Sequence, residues 1–141
     1  MALLVDAGAL YAQADVNEPR HEAVVRILRT EREALVTTEL AVAEADYLIL
    51  RRLGVDVEIA FLNDLAAGTY IVECLTRDEL RTARDVVERY RDLRLGLADA
   101  SLVVLAHRYK TRRILTFDER AFRQVTPLQG ESFIVLPTDA T

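Results

Sequence analysis

Cysteine is almost absent from this 141-residue chain. Its one thiol, Cys74, cannot close an internal disulfide or build a cysteine-based zinc site. The neighbours Ile71, Val72 and Leu75 predict that Cys74 is a small buried hydrophobe. Histidine is nearly as scarce. His21 and His107 have no metal-binding spacing, so zinc chemistry on imidazole is not expected. Both read as partly exposed helix residues. Long apolar runs are missing too. No stretch without a charged side chain exceeds eight residues, as in Ala7 to Ala14, far short of the ~20 that span a bilayer. The opening residues carry no basic leader, and Asp6 would interrupt a signal core. No membrane association is expected, and a cytoplasmic protein is. There is no Pro/Gly/Ser-rich linker, repeat or low-complexity tract, which predicts a single domain over 1–141. The chain also lacks a basic excess. Its net charge is −5, which argues against a general nucleic-acid coat protein but leaves room for a local basic groove.

What is present is an ordinary globular composition, 51% apolar and 29% charged, long enough to bury a sizeable core. Short apolar runs alternate with helical patterns. Strands are expected at Leu3–Val5, Ala34–Thr37, Tyr70–Cys74, Arg113–Phe117 and Phe133–Leu136. Between them, Glu18–Arg32 is amphipathic with Pro19 in its first turn. Thr38 caps a helix reaching Leu53, Val57–Ala67 forms another, and Thr76 caps Arg77–Tyr90. Leu97–Tyr109 is a further helix, and Asp118–Phe122 a short helical turn. Gly54 and Gly68 follow helical runs, where left-handed caps belong. Gly8, Gly96 and Gly130 read as turns or tight approaches. Such alternation predicts an α/β fold with a central parallel sheet covered on both faces.

Four acids stand apart from the solvated charged helix faces. Asp6 and Asp118 each follow a predicted strand, and ligands gather outside the carboxyl ends of parallel strands. Each is also readable as a turn or helix-capping residue. Glu44 has Leu40, Tyr47 and Leu48 as helical neighbours, which predicts a carboxylate on an apolar face in need of a partner. An arginine pair would satisfy it as well as a functional role. Asp46 lies about 200° around the helix from Glu44, so the two should not share a site. Asp99 opens a helix beside Gly96, where the helix dipole alone would favour an acid. If the four converge, their mutual repulsion calls for something positive, and oxygen-only donors favour Mg²⁺ or Mn²⁺.

The motifs around these acids resemble those of PIN-domain ribonucleases of the VapC toxin type. They are Val5-Asp6-Ala7-Gly8-Ala9-Leu10, Ala43-Glu44-Ala45-Asp46-Tyr47-Leu48, Tyr90 through Ala100, and Ile114 through Phe122, with Phe133–Pro137 matching the terminal strand. The third and fourth together are the most specific. The resemblance implies a three-layer α/β/α fold and a Mg²⁺-dependent endoribonuclease acting on transfer or ribosomal RNA. It also implies a homodimer and a small antitoxin partner whose tail crosses the site. Carried over, Asp6 and Asp99 would be the main metal ligands. Glu44 would ligate the metal or position its water, and Asp118 would support the site. One departure is the pair Ala7-Gly8, where many relatives carry Thr-Ser. Either Thr116 or Ser101 takes over that role, or the hydroxyl is dispensable. The expected chemistry is in-line attack of water on a phosphodiester, leaving a 5′-phosphate and a 3′-hydroxyl.

RNA also needs cations. The chain has 17 arginines and one lysine, Lys110, and arginine suits phosphate. Arg94, Arg112, Arg113 and Arg120 lie near the third and fourth motifs and are the candidate RNA contacts. A haloacid-dehalogenase-like site would need an acid at position 8, which is glycine. A receiver domain would need an acidic pair near its first strand. Two alternatives remain: a metal-independent ribonuclease using His21 and His107, and a non-catalytic interaction module.

Overall fold

The computed structural model describes residues 1–140. Five parallel strands form one sheet: β1 (Leu3–Val5), β2 (Leu35–Thr38), β3 (Ile71–Glu73), β4 (Arg113–Leu115) and β5 (Ile134–Leu136), in the order β3-β2-β1-β4-β5. All five lie within or one residue beyond the runs expected from the sequence. Their side chains alternate between two cores, as the two-residue strand period requires. Leu4, Val36, Ile114 and Val135 face α5 (Arg77–Arg89), α6 (Leu97–Arg108) and α7 (Glu119–Gln124). Leu3, Val5, Leu115 and Leu136 face α1 (Ala7–Ala14), α2 (His21–Thr30), α3 (Glu39–Leu53) and α4 (Val55–Ala66). The architecture is therefore three-layered, α/β/α.

The strand order fixes where a site can form. The chain winds outward from β1 through β2 to β3, then crosses back to β4 on the other side of β1. Right-handed crossovers make that reversal change sheet face, which is why α5–α7 lie opposite α1–α4. The reversal opens a crevice beyond the carboxyl ends of β1 and β4, the topological switch point.

Helix α1 carries no helical signature in the sequence. Its residues are apolar on nearly every side, so no 3.6-residue period marks it, and Gly8 lies in its first turn rather than in a loop. The second helix begins at His21, and Pro19 lies in the preceding turn. Cys74 is exposed, not buried. It lies just beyond β3, an edge strand whose own Ile71 is also exposed. The expected caps are present. Thr38 accepts from the Ala41 N–H at 3.1 Å, and Thr76 forms a reciprocal capping box with Glu79.

Gly54 joins α3 to α4 with φ +92°, a conformation that L-residues resist. Nothing lies within contact of a Cβ built there. Gly54→Ala should therefore lose about 1–2 kcal/mol through backbone strain alone. Equilibrium urea denaturation should show a lower midpoint with an unchanged slope, and an unchanged midpoint would refute the strain.

Candidate active site

Asp6 is the first residue beyond β1, and its backbone N–H continues the ladder to Leu115 O at 3.2 Å. Its side chain is 5% exposed. Oδ1 accepts from the Ala9 N–H at 2.9 Å, capping α1. Oδ2 accepts from the Thr116 hydroxyl at the end of β4. Thr116 Oγ1 in turn accepts from the Asp118 N–H at 2.9 Å, and Asp118 Oδ1 caps α7 through the Ala121 N–H at 3.2 Å. One buried hydroxyl thus links the two strand-end acids across the switch point. The capping reading of Asp6 and Asp118 holds alongside their placement at the carboxyl edge.

Asp99 occupies the first turn of α6 and is half-buried. A second pair of hydroxyls sets that turn against α3. Ser101 donates to Ala98 O at 2.6 Å, and Thr38 lies 2.8 Å from Ser101 Oγ. With its proton committed to Ala98, Ser101 accepts from Thr38. Thr37, next to it, donates to Val5 O at 2.7 Å and clasps β2 to β1. Both bonds cross between chain segments far apart in sequence, which is why no local signal announced them.

Glu44 differs from its sequence expectation. It is exposed, and the buried face of α3 runs through Ala41, Ala45 and Ile49. Leu40, Tyr47 and Leu48 surround it without burying it, because Tyr47 itself is 57% exposed. The acid turned inward is Asp46, whose Oδ1 is buried without a hydrogen-bond partner and whose nearness raises the Glu58 carboxyl of α4 above its ordinary value.

The four acids interact electrostatically. Burial pushes Asp6 up to about 6, against the opposing Thr116 and Ala9 hydrogen bonds, and the charges of Asp118 and Glu44 add to the rise. Burial pushes Asp99 up to about 7, with further repulsion from Asp6, Asp118 and Glu44. None of the four joins an ion pair among the described residues. Among those residues, no three His, Cys, Asp or Glu side chains close into a ready-made metal cluster. The donor set nevertheless fits a hard divalent cation: it is all oxygen, strongly negative, and without a cation of its own.

The candidate cations divide. Arg94 and Arg120 are exposed, and Arg120 reaches Leu93 O at 3.3 Å, joining the segment before α6 to the start of α7. Arg112 and Arg113 are not brought to the acids. They enter β4 from its amino end, where Arg112 pairs with Glu131 at 2.9 Å and Arg113 with Glu31 at 2.6 Å. Proximity in sequence misled because a strand carries its two ends to opposite edges of the sheet. The two histidines are also apart. His21 Nδ1 sits 2.7 Å from Ala12 O on α2, and His107 is in the last turn of α6 in the other layer.

Comparison with known proteins shows the family and the fold. A family model described as PIN domain matches residues 3–127. Ribonuclease VapC26 of Mycobacterium tuberculosis is 43% identical over 135 residues, spanning 96% of this chain and all of that protein. The fold is shared with Mycobacterium tuberculosis VapC20, described as a Sarcin–Ricin-loop-cleaving toxin. That match has a TM-score of 0.77 at 19% identity and covers 83% of this chain and 90% of the other. It is shared also with VapBC2 of Rickettsia felis, solved on a promoter DNA fragment, at a TM-score of 0.67 and 9% identity over 96% and 97% of the two chains. A toxin–antitoxin complex from Klebsiella pneumoniae matches at 0.63 and 16% identity over 89% and 97%.

The raised acids predict the pH dependence of stability. The folded state holds the protons of Asp6 and Asp99 more tightly than the unfolded chain, whose aspartates titrate near 3.8. Their contribution is fully present below that value and is lost as pH rises through about 6 to 7. In EDTA, Asp99→Asn should therefore melt several degrees higher than the wild type near pH 8, a gain of about 1–3 kcal/mol. The gain should vanish near pH 4. A melting difference that does not change with pH would contradict the rise that burial and its acidic neighbours give Asp99.

Proposed function

The chain belongs to the PIN-domain family, in its VapC-type branch, and from that membership we propose that it is a divalent-metal-dependent endoribonuclease, the toxin of a toxin–antitoxin pair. The observation that carries the proposal is the pair Asp6 and Asp99. These are two repelling carboxylates at the switch point, left without a counter-charge from the chain. Mg²⁺, or Mn²⁺ in its place, suits that donor set, with Asp6 and Asp99 as its principal ligands. The substrate is RNA, with transfer or ribosomal RNA as the target class. A small antitoxin is the protein partner, and the active form is a homodimer of single-domain chains.

The metal, when bound, supplies the positive charge that activates water and offsets the charge developing on phosphate. The rest of the chemistry falls to side chains. Thr116 orients the Asp6 carboxylate and connects it to Asp118, so a hydroxyl after Asp6 is dispensable. Thr38 and Ser101 fix the turn that carries Asp99. Exposed Glu44 is free to accept a proton from the attacking water, and Asp118 supports the cluster from the start of α7. Arg94 and Arg120 flank the acids and contact the RNA backbone.

Purified protein should cleave cellular RNA in Mg²⁺ and not in EDTA, giving 5′-phosphate and 3′-hydroxyl ends. Asp6→Asn and Asp99→Asn should each lose at least about a hundredfold in rate. RNA binding, followed by fluorescence anisotropy, should itself require the metal, because the bare acid edge repels phosphate. Cleavage that survives EDTA and both substitutions would overturn the metal–carboxylate chemistry. Binding without cleavage of any RNA would identify an interaction module instead.

A further inference from the structure

Most positioned arginines of this chain are held by carboxylates. Arg108, Arg112, Arg113 and Arg123 each meet an acid at 2.5–2.9 Å. Such pairing fixes the guanidinium and cancels its charge together. Arg20 is held in another way. It ends the turn before α2, its N–H donating to Glu18 Oε1 at 3.3 Å and its carbonyl accepting from the Val24 N–H at 3.1 Å. Its guanidinium carbon lies 4.5 Å from the centre of the Phe117 ring. No carboxylate is within ion-pair distance of it among the described residues.

The position of Phe117 gives this contact its meaning. It is the residue between Thr116, which donates to Asp6, and Asp118, which caps α7. The half-buried ring is part of the core against α1–α4 and is therefore a fixed platform. An aromatic face steadies a cation without neutralising it, and is worth about 0.5–1 kcal/mol at an exposed site. A stacked guanidinium also keeps its in-plane N–H groups free for a bidentate acceptor. The chain has thus placed a full positive charge, already oriented, on the residue that lies between Thr116 and Asp118.

We propose that Arg20, seated on Phe117, is a substrate-binding residue that takes a backbone phosphate of single-stranded RNA next to the bond being cut. The inference rests on the ribonuclease reading above. It adds a contact that lies outside all four acidic motifs. Arg20 offsets the repulsion that RNA meets at the acid edge, and it acts on binding rather than on the chemical step.

The test compares wild type, Arg20→Gln and Arg20→Lys in Mg²⁺, using a short fluorescein-labelled single-stranded oligoribonucleotide of mixed sequence. Arg20→Gln should weaken affinity by anisotropy about 3- to 10-fold, and raise KM to match while kcat stays within about twofold. Its plot of log affinity against log salt should be shallower by about 0.7, the loss of one phosphate contact on a single strand. Arg20→Lys should recover the salt slope and part of the affinity. A merely structural clamp between the turn and β4 would lower Tm without moving the salt slope. An unchanged affinity and slope in Arg20→Gln would overturn the proposal. The binding arm does not depend on cleavage, so a wild type that binds but does not cut would defeat the ribonuclease reading and still decide the role of Arg20.

Discussion

The crowding of negative charge at one end of the sheet is the constraint to which the rest of this structure answers. Asp6 is nearly buried, and it feels Asp118 and Glu44 while Asp99 feels all three. A rise from 3.8 to about 6 corresponds to roughly 3 kcal/mol held against ionisation at Asp6. The fold answers with dipoles rather than cations. The amino end of α1 is aimed at Asp6, the amino end of α7 at Asp118, and the Thr116 hydroxyl at Asp6 again. These donors keep the carboxylates oriented, but at Asp6 they do not outweigh burial. The site is thus left poised for a positive partner.

The distribution of arginine follows the same logic. Arg112 and Arg113, at the far end of β4, are paired with acids, and Arg108 ties α6 to Glu73 and Glu79 beside β3. Those pairs stabilise the scaffold and contribute little net field. Arg94, Arg120 and Arg20 have no acidic partners among the described residues. Setting the four acids aside from the net charge of −5 leaves −1, so the remaining surface is close to neutral. An acidic total and an affinity for phosphate are compatible when the acids are concentrated where a metal would sit.

Much of this was readable in the chain itself. The five strands announce themselves as apolar runs ending in Asp, Thr or turn residues, and Thr38 and Thr76 announce their helices as caps. Asp6, Asp99 and Asp118 stand out because strand ends and helix starts are local features. What was not readable depends on three dimensions. Helix α1 has no polar face to give it a period. Glu44 and Asp46 are two residues apart, and only the packing of α4 decides which one turns inward. The Thr38–Ser101 bond and the Arg20–Phe117 contact join segments about 60 and 100 residues apart, and no spacing rule reaches that far.

The Ala7-Gly8 pair shows how a departure from a family pattern can be absorbed. A Cβ on Gly8 would lie 3.6 Å from Asp6 Oδ1, an ordinary contact, so a side chain there is sterically permitted. Its hydroxyl would compete for an oxygen already bonded to the Ala9 N–H, and the other carboxylate oxygen already takes Thr116. Both oxygens are therefore oriented without help from positions 7 and 8. A glycine in a helix costs about 1 kcal/mol relative to alanine, and at Gly8 its return is an exposed, side-chain-free surface directly over the acid edge. The anchoring hydroxyl comes from β4 instead of α1. In this chain, then, the strand that carries Asp118 also sets the orientation of Asp6, and the two acids are positioned as one unit.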